Sequence, residues 1–171
     1  DEVFLTVKGK GGHAAMPHQL DDTVLITSHI IVALQQIASR KSNSAIPTVL
    51  SFGRIIADGA VNIIPNEVKI DGTFRTMDEE WREEAHKLIK KIATQTAESM
   101  GAECEVKIKN GYPYLINNPE LAEKIEEYSE EFLGYNKIKK LGIRMTAEDF
   151  SYFSQIKPAV LFRLGTGFKD K

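Results

Sequence analysis

The side chain best placed to do chemistry in this 171-residue sequence is an imidazole set inside a glycine-rich bend. Residues 9–18 read Gly-Lys-Gly-Gly-His-Ala-Ala-Met-Pro-His. Gly9, Gly11 and Gly12 accept backbone angles that a Cβ resists, and Pro17 stiffens the way out, so the chain can fold back and hold His13 out on a short, shaped loop. A ring nitrogen there can donate, accept or carry a proton near neutral pH. Taken alone, a loop histidine is more often simply solvated than catalytic. Its weight depends on what the rest of the chain builds around it.

The elements that must position the bend follow from hydrophobic periodicity. Val3, Leu5 and Val7 alternate with Phe4, Thr6 and Lys8, a period of two that predicts a strand leading into the glycines. Asp21 or Asp22 caps a helix whose apolar stripe is Ile26, Ile30, Ala33, Leu34, Ile37 and Ala38, ending near residues 40–44. Residues 48–56 are β-branched and aromatic and predict a second strand, followed by the turn dipeptide Asp58-Gly59 and by Asn62 in the connection. Residues 67–76 predict a third, with Val68, Ile70, Gly72 and Phe74 on one face and Arg75 on the polar one. Acidic residues 78–80 then open a helix through Trp81, Ala85, Leu88, Ile89 and Ile92 that Gly101 closes, and Cys104, Val106 and Ile108 face inward from a fourth strand. His29 reads as a helix-flank residue beside the apolar stripe, and His86 as solvent-facing.

This β-α-β-β-α-β order predicts an α+β, ferredoxin-like sandwich over residues 1–111: a four-stranded antiparallel sheet with both helices on one face. After Gly111-Tyr112-Pro113 the pattern changes. A helix from 118 or 119 to 133, a strand at 138–141, a helix at 146–156 and a strand at 159–164 read as an incomplete α/β segment, residues 112–171, too small to enclose a core of its own.

Composition removes whole classes of function. A net charge of -2 with no basic cluster argues against nucleic acid, and no apolar run approaches the ~20 residues a bilayer span needs. One cysteine excludes an internal disulfide framework and suits a reducing, cytoplasmic setting; Cys104 is expected to fill core space. The sequence opens at Asp1 with neither initiator Met nor targeting segment, as a piece of a longer polypeptide would.

The bend resembles the Gly-x-Gly-Gly-His-Ala-Ala-x-Pro-His stretch of the M20 metallopeptidase and amidohydrolase family, in its aminoacylase, hippurate hydrolase and auxin-conjugate hydrolase branch. Val-Asn-Ile-Ile-Pro at 61–65, Gly-Thr-Phe-Arg-Thr at 72–76, Ala-Glu-Asp-Phe-Ser at 147–151 and Leu-Gly-Thr-Gly at 164–167 are similar to further family blocks, in the family's order. The resemblance implies a lid and dimerisation domain at 1–111 and part of the catalytic domain at 112–171. It implies hydrolysis of the amide bond of N-acyl amino acids or small peptides in the parent enzyme, by a water bridging two divalent metal ions, zinc or manganese, with a glutamate as base.

On that resemblance His13 donates to the oxyanion, commonly across a homodimer; Asn62 and Arg75 hold the substrate carboxylate; and Glu148 lies near the cleft. His18 matches a family position, but braces the loop rather than taking part in the reaction. No His-x-Asp and no other metal-site spacing occurs, so this segment is expected to bind no metal and to be inactive alone. Two alternatives remain open: a dimerisation module without chemistry, and a small-ligand regulatory domain of the same fold.

Overall fold

Alternation along the first strand decides which face of the sheet is covered. In a computed structural model of the chain, which describes residues 1–167, β1 (Glu2–Lys8) buries Val3, Leu5 and Val7 and leaves Phe4, Thr6 and Lys8 on the other face. The bend contributes the two-residue strand β2 (Gly12–His13), followed by α1 (Thr23–Leu34). The cap of α1 is Asp22, whose carboxylate accepts from Leu25 N–H at 2.9 Å. The helix then widens into a π-type turn at Ile37–Lys41 before β3 (Thr48–Ile56). A second two-residue strand, β4 (Ile63–Ile64), precedes β5 (Glu67–Thr76). Asp78 caps α2 (Glu79–Ser99) through Trp81 N–H, Gly101 turns the chain at φ +88°, where only glycine is unstrained, and β6 (Glu103–Lys109) follows.

The main sheet has four strands in the order β3-β5-β1-β6, each antiparallel to its neighbour, which is the ferredoxin-like arrangement the sequence predicts. Both helices pack on one face, where Ile26, Ile30 and Leu34 of α1 and Ala85, Ile89, Ala93 and Ala97 of α2 meet Val3, Leu5, Val7, Ile70 and Phe74 in one core. The alanines of α2 let the helix lie close to the strands, as tight packing requires. Gly72 serves the same end in the sheet: the Phe52 ring lies across it, and a Cβ there would sit 2.5 Å from the ring. Cys104 is buried in this core.

The structure corrects the reading of His86. Its Nε2 lies 2.7 Å from Asp1 Oδ2, and the ring meets Phe74 edge-on, so it is an inward residue rather than a solvent-facing one. The Asp1 carboxylate it meets is buried beside the N-terminal residue's own backbone pair with Phe74. That carboxylate also accepts from Gly111 N–H at 2.8 Å and binds Arg82 through two nitrogens. The opening and closing residues of the sandwich are thereby fastened to α2.

The chain divides into two compact units, Asp1–Gly111 and Tyr112–Lys171. In the second, α3 (Pro119–Leu133) has Asn118 as its cap and Gly134 at φ +92° past its end. The rest departs from expectation. Residues 138–141 and 159–164 form no strand, and the helix expected at 146–156 is reduced to α4 (Ser151–Ser154). A strand requires a partner ladder, and the described residues supply none. Instead the Asn117 side chain takes both backbone groups of Leu161, at 2.9 and 3.0 Å.

Candidate functional site

A facing segment, Asn62–Asn66, holds His13 in place by taking up the backbone donors of the bend one after another. Gly9 N–H donates to Asn66 O at 3.0 Å, Gly11 N–H to Asn66 Oδ1 at 2.8 Å, and Ala14 N–H to Asn62 O at 2.9 Å. Between these points Gly12 and His13 pair with Ile64 and Ile63 as β2 and β4. The approach is closest at Gly11, where a Cβ would lie 2.4 Å from Ile64 O and under 3 Å from Pro65 and Asn66 backbone atoms, so the position admits only glycine. On the other side Asp21 exchanges two hydrogen bonds with Lys10: its Oδ2 accepts from Lys10 N–H at 2.9 Å, and its own N–H donates to Lys10 O at 2.8 Å. Thr23, fully buried, donates its hydroxyl to Pro65 O at 2.7 Å and ties the facing segment to α1.

The same bend sets the tautomer of His13. Beyond β2 the chain turns, with Met16 N–H donating to His13 O at 2.8 Å, and Ala15 N–H donates to His13 Nδ1 at 3.1 Å. A ring nitrogen that accepts carries no proton, so in the neutral imidazole the N–H is on Nε2. Nε2 stands 3.5 Å from Asn62 Nδ2; with the proton on Nε2 both are donors, so no hydrogen bond joins them, and both side chains are exposed. Two polar groups thus converge with hydrogen-bonding capacity left for a third.

Arg75 is not brought to that pair within one chain. It lies on the open face of the sheet opposite Val49, about 26 Å along β5 from Glu67 at 3.3 Å per residue, while the bend is fastened beside Asn66. Nor is Arg75 consumed by the acids around it. Asp71 pairs with Arg54 at 3.0 Å and Glu67 with Lys69 at 3.0 Å, and among the described residues Arg75 has no ion-pair partner. Glu148 belongs to the second unit, half-buried, its Oε1 3.4 Å from Phe150 N–H. His18 is exposed in a single 3-10 turn against Gln19.

Sequence reasoning weighed Asp21 only as a helix cap and passed over Asn66. Both are short polar residues beside a glycine bend, the usual means of fixing such a turn, and that is the signal that could have found them. Among the described residues no group of three or more His, Cys, Asp or Glu is placed to hold a metal ion. No helix of the described residues is long and apolar enough to cross a membrane.

The geometry defines a ferredoxin-like sandwich carrying a Gly-x-Gly-Gly-His bend braced by an Asn-Ile-Ile-Pro segment. The peptidase dimerisation domain model of the M20 family matches residues 2–101, and the chain belongs to that family. It is 35% identical over 167 residues to the N-acetyldiaminopimelate deacetylase of Enterococcus faecalis, covering 96% of this chain and 43% of that protein. Among solved structures, AtUAH in complex with glyoxylate superposes with a TM-score of 0.76 at 25% identity, over 92% of this chain and 37% of that one. The Bacillus subtilis protein YxeP, a dinuclear metal binding peptidase of the M20 family, shares the fold with a TM-score of 0.66 at 23% identity, over 92% of this chain and 38% of that one. The chain therefore spans less than half the length of each of these proteins.

Proposed function

We propose that this chain is the lid and dimerisation part of a metal-dependent amidohydrolase that cleaves the amide bond of N-acyl amino acids or small peptides. In this reading residues 112–171 belong to the catalytic domain, and the two divalent metals, zinc or manganese, are held by residues outside this chain. His13 points its Nε2–H at the oxyanion that forms when the acyl carbonyl is attacked. The hydrogen bond from Ala15 N–H to Nδ1 carries this proposal, because it leaves the proton on the nitrogen that faces outward before any substrate arrives. Asn62 and Arg75 bind the substrate's free carboxylate, for which a guanidinium fork and an amide N–H are well shaped. The N-acetylated amino acid in the name of the Enterococcus relative supports that substrate class. Glu148 is assigned a place at the cleft, and a cytoplasmic location fits the single buried thiol.

The separation of Arg75 from the bend supports a homodimer. The β3 strand is an edge of the sheet, unpaired on one side, and antiparallel association of β3 with its two-fold mate sets the start of one sheet against the end of the other. The partner's bend then comes to the end of β5 where Arg75 lies. Val24, Leu25 and Val32, exposed on α1, give that association an apolar surface.

The experiment is complementation in the full-length enzyme. His13→Ala should lower kcat by about 10²- to 10³-fold with the dimer intact by sedimentation, the loss seen for one oxyanion donor. Mixing His13→Ala with Arg75→Ala subunits should restore roughly a quarter of wild-type activity, since half the pairs are mixed and one of their two sites is whole. Unchanged turnover in His13→Ala would favour a dimerisation module without chemistry. A fall in turnover with no complementation would place both residues in one subunit's site.

A further inference from the structure

Nothing in the bend itself prevents it from sliding along its neighbour. Its residues before His13 are glycine or lysine, and the hydrogen bonds of residues 9–12 run outward to Asn66, to Asp21 and to the Ile63–Ile64 backbone. Backbone pairing alone can slip, because each two-residue strand offers the same donors and acceptors in a neighbouring register. Asp21 fixes Lys10 but lies on the other side of the bend from the facing segment. Asn66 joins the two with its side chain as well as its backbone, where Asn62 offers Ala14 N–H a backbone oxygen alone. The Asn66 backbone oxygen takes Gly9 N–H and its side-chain oxygen takes Gly11 N–H, so one residue holds both glycines two positions apart. Gly11, packed at closest approach against Ile64 O, transmits that position to Gly12 and His13 with no side chain to absorb slack.

We propose that Asn66 is a positioning residue for His13, setting the register of β2 on β4 so that the ring lies beside Asn62. The proposal rests on the reading of His13 as the oxyanion donor where turnover is concerned, but the ring placement it sets can be observed without turnover. The side-chain oxygen is what matters. A carboxylate at the same position retains an acceptor for Gly11 N–H, whereas a methyl does not.

The test uses the full-length dimeric enzyme as Asn66→Ala, Asn66→Asp, His13→Ala and the double variant His13→Ala/Asn66→Ala. Asn66→Ala should lower kcat about 3- to 10-fold, as removal of one hydrogen bond does, with KM little changed, and Asn66→Asp should recover most of that loss. In the His13→Ala background Asn66→Ala should do nothing further, since its effect passes through the ring. Spectra of ring-labelled histidine should show a single His13 ring environment in the wild type and in Asn66→Asp, and more than one in Asn66→Ala. Additive losses in the double variant, or an unchanged His13 spectrum in Asn66→Ala, would overturn the assignment. If His13→Ala keeps full turnover while the spectrum still responds to Asn66, the catalytic reading fails and the positioning role stands.

Discussion

Replacing Arg82 by methionine should be the most damaging single change to the first unit outside its apolar core. The Asp1 carboxylate it serves is 1% exposed, and Arg82 itself is 12% exposed. Arg82 donates Nε–H to Asp1 Oδ2 at 2.9 Å, donates Nη2–H to Asp1 Oδ1, and reaches Gly111 O at 3.1 Å. Methionine keeps most of the aliphatic stem but leaves the carboxylate with Gly111 N–H and His86 as its remaining partners. Removing one member of a buried pair typically costs about 3 to 5 kcal/mol, and because each carboxylate oxygen retains one donor, about 3 kcal/mol is expected here. With a urea slope of about 1.5 kcal/mol per molar, the midpoint should fall by about 2 M. Trp81, the single tryptophan, is 7% exposed and donates to Thr48 Oγ1 at 3.0 Å, so its fluorescence follows this unit alone. Adding Asp1→Asn to Arg82→Met should return about half of the loss, because the buried charge is then gone. A loss below about 1 kcal/mol for Arg82→Met, or a double variant no better than the single, would refute the idea that this carboxylate needs the guanidinium.

Three further outcomes are expected. Gly11→Ala places a Cβ 2.4 Å from Ile64 O, so the two backbones must part, lowering stability by about 1 to 3 kcal/mol and spreading His13 over more than one ring orientation, readable by histidine NMR. Burial, aided by the Glu105 charge, pushes the Cys104 thiol up to about 11, so it should resist alkylation at pH 8 until urea unfolds the chain. The linkage sign follows: the unfolded thiol releases its proton near pH 9 while the folded one keeps it, so stability from this group is complete below pH 9 and is lost as pH rises through about 11. A Cys104→Ala variant should lack that alkaline decline in its urea midpoint.

The sandwich was legible because its strands are covered on one face only. Residues 48–56 and 67–76 match β3 and β5 from end to end, since alternation and flanking turn residues mark each boundary. Asp78 and Gly101 bracket α2 as expected for a side-chain cap and a positive-φ stop. The bend was legible as a bend and its histidine as exposed. What could not be read was which residues hold it, because Asp21 and Asn66 act across 11 and 55 positions and carry no local period. His86 was misread for the same reason. Its helix neighbours are charged, and the carboxylate that draws it inward lies 85 residues away.

The second unit shows the limit of periodicity from the other side. The α3 helix needs only its own backbone and its ends, and Asn118, Pro119 and Gly134 announce both. Strands at 138–141 and 159–164 have apolar patterns of comparable strength, but a strand's hydrogen bonds lie outside itself. With no ladder among the described residues, the backbone of 159–161 is satisfied by Asn118 N–H, which donates to Ala159 O at 2.9 Å, and by the Asn117 amide on Leu161. An apolar alternation is therefore a statement about which face is to be buried, and becomes a strand only where another strand is present to pair with it.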